Sequence, residues 1–255
     1  MKITYHITFF YLENRIPFIN RIIEEANTYG HSVDIFIHTN KDISTDIFTA
    51  LTVGTFTSIY HDLSGTHPYK LSWKCRDLLS KQKDDYDYFI YSEDDILIPS
   101  KTLDYYITNN EPLVDQGFNL GFVRIEENNG EEYVVDITRP LNQSVTNDSI
   151  EYAINDVNFY CACWIYNKKE FNRFVLTKYY SSPPAENTYS RELSAFGLTH
   201  FGDGIAGWYK SILIPINNGM LTNDCKVFHM DTKYSIHEGP RKGWGSILFK
   251  DIFRY

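Results

Sequence analysis

Residues 86–99 read YDYFIYSEDDILIP. A strand-like apolar run ends in three adjacent acids, Glu93, Asp94 and Asp95, and then returns to apolar residues and proline. Ionised carboxylates this close repel one another. They are tolerable at a solvated turn and useful around a cation. On a strand that ends in a turn, residues i and i+2 point the same way, so Glu93 and Asp95 would flank one point while Asp94 turns aside. Hard divalent ions such as Mg²⁺ or Mn²⁺ take oxygen ligands of this kind, often carboxylates together with substrate phosphates. A metal site and a solvated acidic turn both fit the triplet.

Three further groups carry chemistry on residue type alone. His229, in CKVFHMD, follows an apolar run; its imidazole suits Mn²⁺ and equally suits a structural role. Asp203, in THFGDGIAGWYKS, has a glycine on each side. It reads as the N-cap of a helix, or as a general base walled by Phe201 and Trp208. Lys70, Lys74 and Arg76 precede the acidic strand on a helix, and Arg241 and Lys242 lie near the end of the chain. Cations near a metal site neutralise phosphate; elsewhere they are ordinary surface charges.

The elements that must position these groups follow an α/β pattern. ITYHITFFYL reads as a first strand, IPFINRIIEEANTYG as a helix with an early proline and a terminal glycine, and HSVDIFIHTN as a second strand. Strand, helix, strand makes a βαβ unit and implies a parallel sheet. YKLSWKCRDLLSKQ reads as a helix and YDYFIYS as a central strand. In open α/β sheets ligands bind beyond the carboxyl ends of strands, where the acidic triplet falls. LGFVRIEE, EYVVDIT and NFYCACWIYN read as strands, with NQSVTNDSIEYAIND as a polar connection. KKEFNRFVLT reads as a helix, SSPPAENTYSRE as a loop, DGIAGWYKSI as a short helix, and IHEGPRKGWGS as a mobile loop.

Bulk properties bound the function. The chain has 255 residues and a formal net charge of -9, which argues against nucleic acid or an anionic membrane as the main partner. No apolar run is long enough to cross a membrane, and the N-terminus lacks a signal-peptide pattern, Glu13 and Arg15 cutting its apolar run short. The four cysteines form no disulfide framework, so buried thiols and a reducing, cytoplasmic location are expected.

In their order along the chain these features resemble the nucleotide-sugar-dependent glycosyltransferases of the GT-A fold. HPYKLSWKCRDLLSKQKDDYDYFIYSEDDILIP looks like that family's helix and acidic DxD strand. FGDGIAGWYKSILIPI looks like its Gly-Glu-Asp helix, and DCKVFHMD like its terminal histidine run. The resemblance implies a single α/β domain over 1–255, with a mixed, mostly parallel central sheet flanked by helices. Residues 1–100 would form a nucleotide-binding half, 101–240 an acceptor-binding half, and 241–255 a flexible C-terminal tail. It implies transfer of sugar from a nucleotide-diphosphate-sugar donor to a hydroxyl of a carbohydrate or glycan acceptor. Mn²⁺ or Mg²⁺ would be held by Asp95, Glu93 and His229, with His237 as the other histidine in reach. Glu93, Asp94, Lys74, Arg76, Arg241 and Lys242 would meet the donor. Asp203 would act as base in an inverting reaction, with Glu192 in reserve, and Trp164, Tyr166 and Trp208 would offer an apolar platform.

The sequence departs from the family at two positions. Glu93 stands where the DxD motif begins with Asp, and Gly202 stands where an acid precedes the Asp. A non-catalytic carbohydrate- or nucleotide-sugar-binding domain of the same fold is the alternative. A nucleotidyltransferase is disfavoured, because FFYLENRIPF has no glycine and a single arginine after the first strand.

Overall fold

The structure, a computed structural model, describes residues 1–177, 180, 194–195, 212–236 and 242–254. β1 (Lys2–Phe9) leads through α1 (Ile16–Ala26) to β2 (Ser32–Thr39) and β3 (Phe56–Tyr60). α2 (Leu71–Lys74) and α3 (Arg76–Lys81) precede β4 (Tyr88–Glu93), β5 (Ile96–Leu97) and α4 (Ser100–Asp115). Five strands follow: β6 (Asn119–Leu120), β7 (Val123–Asn128), β8 (Glu131–Val134), β9 (Ser144–Asn147) and β10 (Ile150–Ile154). Then come β11 (Cys163–Asn167), α5 (Lys168–Val175), β12 (Ile212–Asn217), β13 (Met220–Leu221) and β14 (Lys226–His229). β15 (Lys242–Gly245) and β16 (Ile247–Leu248) are the last strands. The chain is α/β, as expected. It forms two compact units, Met1–Ile96 with Ala162–Leu198, and Leu97–Cys161 with Thr199–Tyr255. The expected 1–100 half ends close to the first break, but that unit also takes back a later segment.

The first unit is built on a five-stranded sheet of order β11-β4-β1-β2-β3. β1 runs parallel to both β2 and β4, β3 runs parallel to β2, and β11 is antiparallel to β4. β1 has seven consecutive buried residues, the mark of a strand covered on both faces. α1 starts with Pro17 in its first turn and buries Ile19, Ile22, Ile23 and Ala26 as one stripe. α5 is fixed at its start by a capping box between Asn167 and Glu170. It carries Phe171, which stacks on Phe89 of β4 with ring centroids 4.0 Å apart. The helix expected over YKLSWKCRDLLSKQ is present as α2 and α3, which follow a short 3-10 turn, Pro68–Lys70, and meet at Cys75, whose backbone stays helical (φ −68°, ψ −23°).

The second unit holds two sheets. One has the order β13-β12-β10-β9, with β6 alongside β12, and the other the order β16-β8-β7-β14-β5. Three hairpins close on two-residue turns with positive φ: Asn129-Gly130 (53° and 78°), Asp148-Ser149 (47° and 69°) and Asn218-Gly219 (52° and 76°). Such turns match the twist of antiparallel strands, and Asn, Asp and Gly adopt them at little cost. The middle hairpin, β9–β10, replaces the polar connection expected there, because its turn residues carry the strand signal on both flanks. The expected flexible tail is also ordered over its described residues. Ile247 and Leu248 pair with Val134 and Tyr133, and the Arg254 amide donates to Leu141 O at 3.0 Å. α4 buries Leu103, Tyr105, Tyr106, Leu113 and Val114. All four cysteines are buried thiols outside disulfide bonds. Among the described residues no helix is long and apolar enough to cross a membrane.

A file of imidazoles runs across the first sheet. His6 Nδ1 lies 2.8 Å from His38 Nε2, and His38 Nδ1 lies 2.8 Å from His61 Nε2. At the inner end His6 Nε2 meets Gln82 Oε1 at 2.9 Å. That oxygen only accepts, so His6 carries its proton on Nε2 and accepts at Nδ1. The same assignment then propagates: His38 and His61 each donate through Nε2. The rings stack, His6 on His38 at 5.0 Å and His38 on His61 at 5.1 Å between centroids. Burial lowers the pKa of His6 to about 3 against the opposing hydrogen bond from Gln82. Burial, then His6 and His61, pull His38 well below the ordinary value as well.

These histidines bind protons more readily unfolded than folded, so acid favours unfolding. For His6 the stability is fully present above the ordinary 6.5 and is lost as pH falls from there toward about 3. Melting temperature should therefore drop between about pH 7 and about pH 5, with each fully mismatched histidine contributing about 1.4 kcal/mol per pH unit. His38→Gln, which keeps one donor and one acceptor, should flatten the slope. An unchanged slope in that variant would assign the acid sensitivity to other groups.

Candidate functional site

The sheet order decides where a ligand can enter the first unit. β1 has β2 on one side and β4 on the other, so the chain leaves β1 in one direction and returns on its opposite flank. The carboxyl ends of such a strand pair diverge and open a crevice. A cavity of about 220 Å³ lies there. Thr8 and Phe10 line it from the end of β1, Leu12 and Arg15 from the turn into α1, Glu93 and Asp94 from the end of β4, and Pro68, Tyr69, Leu71 and Ser72 from the α2 region. Phe10 and Leu12, 42% and 48% exposed, give the cavity an apolar rim that suits contact with a planar ring.

The acidic triplet is not solvated. Asp94 and Asp95 are 6% and 5% exposed. Arg15 stands between them: its Nη2 lies 2.9 Å from Asp94 Oδ1 and also bonds Asp95 Oδ2. Asp94 Oδ2 is buried with no hydrogen-bond partner. Burial raises the Asp94 carboxyl well above the usual range, the charge of Asp95 adds to this, and Arg15 opposes it. The arrangement resolves the repulsion with a guanidinium in the place where the sequence suggested a metal ion. Among the described residues no group of three His, Cys, Asp or Glu side chains is disposed to hold a metal. With Arg15 between them, Asp94 and Asp95 are charge-compensated by a guanidinium.

The other sequence-derived positions fall in several places. Lys74 is exposed on α2. Arg76 is only 3% exposed, a correction to its reading as a surface cation facing phosphate. Its guanidinium lies 4.0 Å above the Trp73 ring and donates to Tyr180 O at 2.8 Å and Ser194 O at 3.3 Å. A planar, weakly hydrated cation can be buried this way, stacked on aromatics and bonded to carbonyls. Trp164 and Tyr166 are 4% and 1% exposed and stack on each other in the core, so they offer no acceptor platform. Asp203, Glu192, Arg241, His237 and Trp208 lie outside the described residues, as does the side chain of Lys242.

His229 belongs to the second unit and to a different cluster. Its Nδ1 lies 2.6 Å from Glu126 Oε1 on β7. Glu126 is fully buried and also accepts from the backbone amides of Lys233, Tyr234 and Ser235 at 3.2, 2.9 and 2.8 Å. Burial alone would raise its pKa; the His229 bond and the amides outweigh burial and bring it to about 2. The pairing fixes the ring orientation and puts the proton on Nδ1, the way a carboxylate orients a functional imidazole. Beside it Arg124 and Asp136 form a buried two-point pair, 2.7 Å at each contact.

Two residues central to these clusters were missed. Arg15 is the lone cation between β1 and α1, and its position right after the first strand of a βαβ unit was the signal for it. Glu126 alternates with Arg124 on one face of a strand whose other face is apolar; charges on a fully covered strand imply buried partners. No protein-family model matches the chain, and no curated protein matches it.

Glu126→Ala should cost about 3–5 kcal/mol in urea unfolding, because it strands an imidazole and several amides. The native contribution is present above the ordinary 4.5 and fades as pH falls toward about 2. A loss below about 1 kcal/mol would mean that the loop after β14 is held by other contacts.

Proposed function

We propose that the chain is a glycosyltransferase of the GT-A type, moving a sugar from a nucleotide-diphosphate-sugar donor to a hydroxyl of a carbohydrate or glycan acceptor. The observation that carries this reading is the acidic end of β4 at the switch point of the sheet, where Glu93 and Asp94 line a cavity that Arg15 also lines. Tyr69, Phe10 and Leu12 suit the planar base of a nucleotide, and Arg15 suits its diphosphate. The hydroxyls of Thr8 and Ser72 on the same wall suit a ribose or a sugar.

The reaction needs two things from the protein. Negative charge that develops on the leaving diphosphate must be met by a fixed positive group, and Arg15 supplies one at the cavity. The acceptor hydroxyl must lose its proton as it attacks the anomeric carbon, and Asp203 is the proposed base, which gives inversion. Glu192 is the reserve. Mn²⁺ or Mg²⁺ enters no step here, because one of its proposed carboxylates, Asp95, is paired with Arg15.

A thermal-shift panel of nucleotide sugars tests the reading: at least one should raise the melting temperature. Asp203→Asn should keep that shift and lower transfer about 100- to 10,000-fold. Full transfer in the variant would move the base elsewhere, with Glu192 next. A donor shift without transfer to any acceptor would favour the non-catalytic nucleotide-sugar-binding domain.

A further inference from the structure

We propose that the second unit carries a binding site of its own for a neutral pyranose ring, in a cavity whose lining residues all belong to that unit. The proposal goes beyond the transfer reaction and does not rest on the nucleotide-sugar reading.

The cavity holds about 240 Å³ and is lined from both sheets of the second unit. Glu132 comes from β8 and Leu248 from β16, strands that pair with each other, and Met220 comes from β13 in the other sheet. The 3-10 turn Asn223–Cys225 adds Asn223. Pockets for drug-sized ligands run from about 300 to 1,000 Å³, so this one suits a single ring and not a whole nucleotide.

The charges of the wall cancel locally. Lys250 Nζ meets the two oxygens of Glu131 at 3.3 and 3.2 Å, and Lys226 Nζ lies 2.6 Å from Glu132 Oε2. An ionic ligand of either sign would face a like charge or have to break one of these pairs. A purely apolar ligand would cover Glu132 and Asn223 without hydrogen-bonding them, which costs free energy. A neutral polyol meets both demands. Glu132 Oε1 and the Asn223 side-chain amide have no hydrogen-bond partner among the described residues. The Glu132 side chain is 34% exposed, and Asn223 is exposed. A carboxylate oxygen accepts from a hydroxyl and an amide both donates and accepts, which matches neighbouring hydroxyls of a sugar. Met220, 54% exposed, and Leu248 offer apolar surface to the C–H face of the ring.

The wall is also held in place before any ligand arrives. The Lys226 side chain, 6% exposed, bonds Glu132 and sits 4.2 Å from the centroid of Phe249, which lines the cavity too. One buried ammonium thus fixes a polar and an apolar member of the lining. The Lys226 carbonyl in turn accepts from Thr102 Oγ1 of α4 at 2.7 Å. Groups fixed in advance lose less freedom when a ligand binds.

The test is amide NMR of the full chain titrated with glucose, galactose, mannose and N-acetylglucosamine, each as the free sugar and as its methyl glycoside. Each is taken to about 10 mM, ten times a weak Kd of about 1 mM. At least one should move the signals of Met220, Asn223 and Leu248 in a single saturable transition. Asn223→Ala should weaken the Kd about 2- to 10-fold, the loss expected for neutral hydrogen bonds. The Asn223 side chain is bonded to nothing among the described residues, so this variant keeps the fold. Glu132→Gln, which removes a charged acceptor, should weaken it about 10-fold or more. Equal binding of free sugar and glycoside would support a ring within a glycan, and binding of the free sugar alone a monosaccharide. No movement with any sugar would overturn the proposal. Movement that neither substitution weakens would overturn the assignment to this cavity. Movement with argininamide or inorganic pyrophosphate, and with no sugar, would overturn the neutral ligand class.

Discussion

Two buried carboxylates on consecutive residues repel each other unless one is protonated or a positive charge lies between them, and Arg15 is such a charge. The constraint reaches well beyond the three residues. It ties the start of α1 to the end of β4 and fixes the βα turn against the strand that lies across the switch point. The crevice owes its wall to this tie. An apolar turn in its place would have let Asp94 and Asp95 swing out to water, and the strand end would then be an ordinary acidic turn.

The second unit solves the same problem differently. Glu126 is as deeply buried as the acids of the first unit, yet it is met by three backbone amides and an imidazole, without arginine. Amides are fixed dipoles: they hold the carboxylate in its charged form without adding a mobile cation. The result is a rigid anchor for the segment after β14.

Much of the first unit was legible in the sequence. β1, α1, β2 and β4 announce themselves by apolar runs, an early proline and a terminal glycine, and the acids at the end of β4 follow from period and position. Arg15 was not legible as part of the site, because its partners lie 80 residues away and no local pattern links them. Arg76 misled for the opposite reason. Its helix reads as solvent-facing, and only the aromatic box of Trp73, Phe174 and Tyr180 makes burial tolerable. The hairpin turns were legible in principle from Asn-Gly and Asn-Asp-Ser, but polar composition around β9 masked the strand signal. The two-unit division was invisible, since no linker composition marks where the chain leaves or rejoins the first unit.

That rejoining has a consequence for how the protein is made on the ribosome. The first sheet can assemble β1, β2, β3 and β4 early, but its edge strand β11 and the α5 helix that covers Phe89 are translated only after a long stretch of the second unit. Until they emerge, β4 presents an open flank and an uncovered aromatic face, the kind of surface that chaperones bind and that aggregates when production is fast. Slow translation or chaperone supply should thus govern the yield of soluble protein more than the stability of the finished fold does.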